Sequence, residues 1–206
     1  MRYILALLAL TLSPLAARAD TAILAGGCFW CVEANFESVP GVTDVVSGYT
    51  GGTVANPTYD DVTSETSGHY EAVKVTFDPS RVTYAQIVSL FLRSTDVVDA
   101  GGQFCDRGDS YRSAIFAKDA TQAATATAEI ARAAKELGHK VVTPILPAAK
   151  FWKAEDYHQN YYKGTGWVIT RRGPKVQSDA YAFYRKACGR DARVKALWGS
   201  DAAFVH

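Results

Sequence analysis

Two cysteines three residues apart, Cys28 and Cys31, stand at the junction between a predicted strand and a predicted helix. The apolar run 21–25 predicts a short buried strand, and the pattern over 29–38 predicts an amphipathic helix. The glycines at 26–27 allow a tight turn between them. A thiol in the first turn of a helix faces unpaired N–H groups and the positive end of the helix dipole, and both favour the nucleophilic thiolate. The chain must therefore fold so that a strand ends at a helix carrying a reactive cysteine.

The residues between the cysteines, Phe29 and Trp30, indicate an apolar wall that suits a soft substrate group better than a charged one. The C-x-x-C spacing itself is compatible with a thioredoxin-type redox pair, with half of a zinc site, or with a single nucleophile in a different reductase. Zinc is the weakest reading, because a structural site needs four ligands and no second C-x-x-C or H-x₃₋₅-H pair exists. The other candidates are scattered along the chain: Cys105, Cys188, His69, His139 and His158. We expect no metal and no cofactor.

Residues 1–19 have the features of a secretory signal peptide. A positive charge at Arg2 precedes the apolar run 4–12, which is too short to cross a bilayer as a helix. Ala17-Arg18-Ala19 matches the A-x-A cleavage signature. We expect cleavage after Ala19, an exported and periplasmic protein, and a single catalytic domain over residues 20–206. The alternative is an uncleaved N-terminal anchor.

The charge balance argues against polyanionic partners. The chain carries a formal net charge of +1 at pH 7, and loss of Arg2 and Arg18 with the leader would change it to −1. No run of Lys or Arg is present, so neither nucleic acid nor, after signal cleavage, a membrane is expected as a partner. Heptad repeats are absent from the sequence, and we expect a monomer.

Alternating and amphipathic patterns predict a β-α-β-β-α-β-α-β order. The predicted strands are 21–25, 42–49, 70–77, 111–117 and 141–146, and the predicted helices are 29–38, 83–93 and 121–137. Thr83 and Gln86 form a capping-box pattern at one helix start. This order predicts an α+β two-layer sandwich with a ferredoxin-like β-α-β-β-α-β core and a mostly antiparallel sheet. The core spans about residues 22–160, and an irregular, Cys-containing C-terminal tail follows over about 161–206.

Several polar residues downstream point to acid catalysis. Glu71 begins an otherwise apolar-alternating strand, where burial would raise its pKa and keep it protonated near neutral pH. The Gly-rich loop 101–113 can position polar groups over a site. Tyr59 offers a phenol on the loop 56–59, and the stretch 154–159 is polar and aromatic. Taken singly, each of these residues also fits an ordinary surface or packing role.

Taken together, the segments resemble the A-type peptide methionine sulfoxide reductases. The resemblance rests on these motifs, which occur in the family's order over about residues 22–160: Gly27-Cys28-Phe29-Trp30 with Glu33, Gly48-Tyr49-Thr50-Gly51-Gly52, Asn56-Pro57-Thr58-Tyr59, Gly68-His69 with Glu71-Ala72-Val73, Asp106 with Tyr111-Arg112-Ser113-Ala114-Ile115, and Glu155-Asp156 with His158-Gln159. The first motif alone is moderately specific, and the ordered set is strongly so. The resemblance implies reduction of the S epimer of methionine sulfoxide, free or in proteins.

The resemblance also implies a role for each matching residue. Cys28 would attack the sulfoxide sulfur and become a sulfenic acid, and Glu71 would protonate the oxygen. Phe29 and Trp30 would hold the S-methyl group. The sulfoxide oxygen would be bound by Tyr59, Asp106 and Tyr111. His69 and His158 would contact the substrate-binding residues rather than the substrate.

The resolving cysteine stays open, because this chain departs from the commonest family pattern at Cys31 and Cys105. Cys188 is the first choice, by its position in the tail. Cys31 lies one helical turn from Cys28 and is the alternative, and Cys105 is third. A disulfide formed with Cys28 must then be reduced by an external dithiol, for which we expect a thioredoxin-like donor, membrane-relayed if the protein is exported.

Two other functions compete with this interpretation. A general thiol–disulfide oxidoreductase would use Cys28 and Cys31 alone and would leave Glu71 and Asp106 without a role. A non-catalytic exported module would place all four cysteines in two structural disulfides, for which three connectivities are possible.

Overall fold

The structure, a computed structural model, describes residues 18–205. Most of the predicted leader lies outside these residues. Within them, no helix combines the length and apolar character needed to cross a bilayer. The strands are β1 (Asp20–Gly26), β2 (Val42–Thr50), β3 (Tyr70–Phe77), β4 (Gly102–Gln103), β5 (Asp106–Arg107), β6 (Ser113–Ala117), β7 (Ile145–Pro147), β8 (Trp152–Lys153), β9 (Trp167–Thr170) and β10 (Gly173–Val176). The helices are α1 (Phe29–Glu37), α2 (Tyr59–Thr63), α3 (Tyr84–Leu92), α4 (Ala120–Leu137), α5 (Gln177–Ala187) and α6 (Arg190–Trp198).

The central sheet confirms the predicted ferredoxin-like core. Its six strands lie in the order β7-β6-β1-β3-β2-β8. The four strands of the β-α-β-β-α-β unit, β6-β1-β3-β2, are all antiparallel neighbours, and the edge strand β7 runs parallel to β6. Because β1 is central and flanked on both sides, its end at Gly26 delivers the cysteine pair to the middle of one sheet edge.

Helices α1, α3 and α4 bury their apolar faces and build the main core with the sheet. Phe36, Ile87 and Phe91 from these helices pack in the same cluster as Leu24 and Val75 from the sheet, and all five are fully buried. The predicted capping box at α3 is confirmed, since the Thr83 hydroxyl accepts from the Gln86 N–H and the Gln86 side chain accepts from the Thr83 N–H. Local signals and tertiary burial agree in this half of the molecule.

The prediction of an irregular tail is wrong. Strands β9 and β10 form an antiparallel hairpin, and α5 and α6 follow it with only two residues between them. We call residues 165–205 the C-terminal arm. The arm is held to the core by Arg185, whose guanidinium donates to Asn35 Oδ1 of α1 at 3.0 Å. Within the arm, the same guanidinium donates to the Phe204 carbonyl at 2.5 Å and to Asp191 at 2.7 Å. Polar contacts of this kind leave no periodic apolar signal in the sequence.

Three predicted boundaries also differ from the structure. Tyr59 starts α2 rather than ending a loop, because Thr58 caps the helix through a bond to the Asp61 N–H. Tyr111 ends a 3₁₀ turn (Asp109–Tyr111) instead of starting a strand. The last predicted core strand begins at Ile145, four residues later than expected. The segment that begins with the polar and aromatic stretch 154–159 forms two 3₁₀ turns, Asp156–His158 and Tyr161–Lys163.

Candidate active site

The thiol pair lies where β1 meets α1. Cys28 is the N-cap residue of α1 and Cys31 is three residues into the helix, and both are free thiols. Gly27 makes the turn with a φ of 78°, and a Cβ at this position would meet Gln103 Cβ at 2.6 Å. Only glycine satisfies both the left-handed conformation and this close approach.

The two thiols share a hydrogen bond, which shifts their pKa values in opposite directions. This hydrogen bond is the main cause that lowers the pKa of Cys31 to about 6, and the charges of Arg190 and Arg185 lower it further. Burial of the thiol opposes the change. The same hydrogen bond, together with burial, raises the pKa of Cys28. The pair at the helix N-terminus therefore loses its first proton more readily than an isolated thiol would.

Glu71 is a buried carboxyl group aimed at the same helix end. Burial raises the pKa of Glu71 to about 8, and the bond that its Oε2 accepts from the Phe29 N–H at 3.0 Å only partly opposes this. Its side chain is also hydrogen-bonded to Tyr111. Glu71 is thus a neutral acid at neutral pH beside Cys28, as the sequence predicted.

The oxygen-binding candidates converge on the same point. Tyr59 and Tyr111 are hydrogen-bonded to each other, and both line the cavity that contains Cys28, Glu71 and Asp106. Burial raises the pKa of Tyr59 to about 12 and raises that of Tyr111 further, so both phenols keep their protons. Burial also raises the pKa of Asp106. The site offers neutral donors to an oxygen that gains negative charge.

Two acids outside the cavity, the buried Glu33 and the partly buried Glu155, fix the segments that form the site. Glu155 accepts from the Tyr59 N–H at 2.9 Å and from the Tyr49 hydroxyl at 2.8 Å. Glu33 accepts from the Asn160 N–H at 2.9 Å and from the Ser47 hydroxyl at 3.2 Å. These bonds join the 3₁₀ segment after β8 to α1 and β2, which explains why Glu33 and Glu155 belong to the motif set.

An aromatic cluster surrounds Phe29 and Trp30. The indole ring of Trp30 stacks on Tyr161 with centroids 3.8 Å apart, and its Nε1 donates to His158 Nδ1 at 3.1 Å. His158 also contacts Phe29 and Tyr59, with ring centroids 5.0 and 4.6 Å apart. Burial lowers the pKa of His158 to about 4, so it is a neutral acceptor that orients Trp30. The predicted supporting position of His158 agrees with this geometry.

His69 does not reach the site. Its Nδ1 accepts from the Gly52 N–H at 3.1 Å, and its Nε2 lies 2.8 Å from the Val54 carbonyl oxygen. It does not line the cavity. A Cβ on Gly52 would meet the ring at 2.5 Å, so the Gly-Gly motif and His69 form one structural turn. Its expected supporting role at the site stays a prediction.

The other two cysteines are bonded to each other. Cys105 and Cys188 form a disulfide with their Cα atoms 5.0 Å apart, and both residues line the same cavity as Cys28. This bond overturns the two-disulfide module, because Cys28 and Cys31 stay free. Cys105, Asp106 and Cys188 also place ligand-type atoms within 4.8 Å of one another, but the two sulfurs are already joined as a disulfide.

The C-terminal arm supplies site residues that sequence analysis missed. The cavity has a volume of about 620 Å³, and one side of it is formed by side chains of the arm: Arg171, Tyr181, Tyr184, Arg185 and Arg190. Their sequence signal was weak, because they are dispersed over a segment predicted to be irregular. The proximity of Cys188 in the sequence was the one clue that this segment returns to the site.

Comparisons with known proteins agree with this geometry. The family model of peptide methionine sulfoxide reductase matches residues 20–188. The chain belongs to the peptide methionine sulfoxide reductase family. Peptide methionine sulfoxide reductase MsrA 2 of Rhizobium meliloti strain 1021 is 50% identical over 187 residues, which cover 91% of this chain and 87% of that protein. The MsrA protein of Bacillus subtilis strain 168 is 44% identical over 183 residues, which cover 88% of this chain and 97% of that protein.

Solved structures give the same answer for the reductase fold. Methionine sulfoxide reductase A of Corynebacterium diphtheriae superposes with a TM-score of 0.67 at 31% identity, covering 70% of this chain and 74% of that one. Mxr1 from Saccharomyces cerevisiae in complex with Trx2 matches with a TM-score of 0.51 at 22% identity, covering 74% and 91%, and shows the shared fold. The family resemblance drawn from the motifs is confirmed.

Proposed function

We propose that this reductase converts the S epimer of methionine sulfoxide, free or in proteins, to methionine at Cys28. The observation that carries the proposal is the convergence of a free thiol pair, a protonated buried carboxyl group and two phenols on one aromatic-lined cavity. A sulfoxide needs this combination, because its oxygen is a poor leaving group that must be protonated while sulfur is attacked.

In the first step, Phe29 and Trp30 hold the S-methyl group and the phenols of Tyr59 and Tyr111 donate to the sulfoxide oxygen. As Cys28 attacks sulfur, its proton passes to the Cys31 thiolate and Glu71 gives its proton to the oxygen. The S–O bond of the substrate breaks, methionine leaves, and oxygen remains on Cys28 as a sulfenic acid. The sulfoxide is reduced and Cys28 is oxidised. Asp106 lies at the polar end of the same cavity and assists in binding the oxygen.

In the second step, Cys31 resolves the sulfenic acid. The Cys31 thiol attacks the Cys28 sulfur, a Cys28–Cys31 disulfide forms, and the hydroxyl of the sulfenic acid leaves as water. Two observations support Cys31 over Cys188: its thiol is hydrogen-bonded to Cys28, and Cys188 is already bonded to Cys105. This reverses the order of preference drawn from the sequence.

A thioredoxin-like dithiol resets the enzyme in this scheme. The pairing of the fold-related Mxr1 with Trx2 is in keeping with such a donor. The Cys105–Cys188 disulfide borders the cavity and is a candidate to relay electrons from the donor to the Cys28–Cys31 disulfide. No metal or cofactor takes part in these steps.

We also propose export to the periplasm, with cleavage after Ala19. In support, the first strand of the described residues begins at Asp20, directly after the proposed cleavage site. The N-terminal sequence and mass of the protein recovered from a periplasmic fraction test this. A mature chain starting at Asp20 is expected, and full-length protein recovered from the cytoplasm or the membrane would contradict export.

Turnover of the separate S and R epimers of a methionine sulfoxide peptide, with dithiothreitol as reductant, tests the proposed reaction. Wild-type protein should reduce only the S epimer, and Cys28→Ser should have no activity. Reduction of small disulfides by the wild type without any methionine formation would instead support a general thiol–disulfide oxidoreductase.

A further inference from the structure

A buried arginine stands behind the thiol pair. Arg190, the first residue of α6, is 3% exposed and lines the same cavity as Cys28 and Cys31. Its Nη atoms donate to the Gly26 carbonyl at 3.4 and 3.5 Å and to the Ser94 carbonyl at 3.2 Å. Because Gly26 ends β1 two residues before Cys28, the guanidinium ties the C-terminal arm to the loop that carries the nucleophile.

The charge of Arg190 is oriented by these contacts but is not neutralised. Within residues 18–205, no carboxylate lies at ion-pair distance from it, and its Nε is buried without a hydrogen-bond partner. Arg185 differs, because it pairs with Asp191 at 2.7 Å. A buried cation without a counter-ion is unfavourable. The Asp106 carboxyl group and the two thiols line the same cavity, and the positive charge of Arg190 acts on them.

We propose that Arg190 is a positioning residue that stabilises the reactive state of the Cys28–Cys31 pair, and that the Cys105–Cys188 disulfide keeps Arg190 in the cavity. The disulfide fixes both sides of the arginine site. Cys188 is two residues before Arg190, and Phe104, which precedes Cys105, has its ring centroid 4.6 Å from the guanidinium carbon. The family model ends at residue 188, before this arginine.

Other charged or titratable groups also face the thiols, from every element packed against them. They are Tyr59, Glu71, Asp106, Tyr111, Tyr161, Arg171, Tyr181, Tyr184, Arg185 and Arg190. Of the three cations in this set, Arg171 is exposed to solvent and Arg185 already has a carboxylate partner. Removal of the Arg190 charge should therefore change thiol ionisation more than any other single charge removal on α6.

The pH dependence of iodoacetamide alkylation tests this role in the intact protein. With the Cys105–Cys188 disulfide formed, Cys28 and Cys31 are the reactive thiols, and no methionine sulfoxide is needed. The test therefore stands apart from that of the proposed reaction. Arg190→Gln should raise the alkylation midpoint by about one pH unit. Arg190→Lys, which keeps the charge but loses the forked contacts, should fall between this variant and wild type.

Lys195→Gln is the matched control, because Lys195 is an exposed cation of the same helix outside the cavity. Its midpoint should equal that of wild type. A folded Arg190→Gln variant with a wild-type midpoint would overturn the role of Arg190. Circular dichroism establishes that each variant is folded.

The double variant Cys105→Ser/Cys188→Ser tests the disulfide without touching Arg190, and it provides the answer if Arg190→Gln does not fold. Its midpoint should rise in the same direction by a smaller amount, because α6 loses its covalent anchor. A folded double variant with an unchanged midpoint would refute the claim that the disulfide holds Arg190 in place.

Discussion

The sheet core and the C-terminal arm both line one cavity, and their side chains are held in place by different means. The core places Cys28 and Glu71 through strand ends, a helix cap and a buried apolar face. The arm places Arg185 and Arg190 through polar contacts with distant carbonyls and one disulfide. We infer that the core supplies the groups that react with substrate, whereas the arm sets the ionisation of those groups. The two regions should therefore respond differently to substitution.

The largest effect expected, apart from loss of the nucleophile, belongs to the core acid. Glu71→Gln should lower kcat/KM about 10²–10³-fold, because the sulfoxide oxygen loses its proton donor. The pKa of Glu71 is raised to about 8, so wild-type activity should fall as pH rises through that value, and it should also fall as pH drops through about 6, where the Cys31 thiolate takes up a proton. Steady-state rates across pH check both statements. Glu129→Gln, on α4 outside the cavity, should leave the profile unchanged.

A second core substitution distinguishes the two pairs of cysteines. Cys31→Ser should slow turnover with dithiothreitol about a hundredfold, because Cys28 loses both its proton acceptor and its resolving partner. Cys188→Ser should slow it much less. Comparable losses in the two variants would mean that the arm takes part directly in the thiol chemistry, and the division between core and arm would fail.

Removing the Arg185 side-chain contacts should destabilise the C-terminal arm more than the sheet core. Arg185→Gln removes bonds to Asn35, Asp191 and the Phe204 carbonyl, and should destabilise the arm by about 2–4 kcal/mol. Hydrogen exchange should quicken in α5 and α6 while β1 and β3 keep their protection. Equal acceleration in both regions would show that arm and core unfold as one unit.

The smallest expected effect comes from a helix cap in the core. Thr83→Ala removes the N-cap of α3 and should lower the free energy of unfolding by about 1 kcal/mol, as measured by urea denaturation. Activity with dithiothreitol should be unchanged, because α3 contributes no side chain to the cavity.

These contrasts explain what could be predicted from the sequence. Strand β3 and the start of α3 were predicted to the residue, because alternation and a capping box are local signals. Cys28, Glu71 and Tyr111 were found through motifs, and all three line the cavity. Arg190 binds the Ser94 carbonyl, and Arg185 binds the Asn35 side chain, both more than ninety residues away in the sequence. Because these partners are distant, no local sequence pattern identifies the two arginines. His69 belongs to the same motif as Glu71, but it lies in a turn outside the cavity lining.

The most direct test is a single turnover without external reductant. Protein with Cys28 and Cys31 reduced and the Cys105–Cys188 disulfide intact is mixed with one equivalent of either epimer of a methionine sulfoxide peptide. Methionine is then quantified and the disulfides are mapped by peptide mass spectrometry. The account predicts one methionine per protein and a new Cys28–Cys31 disulfide with the S epimer, and neither with the R epimer. No methionine from the S epimer, or methionine formation with both thiols still free, would contradict it.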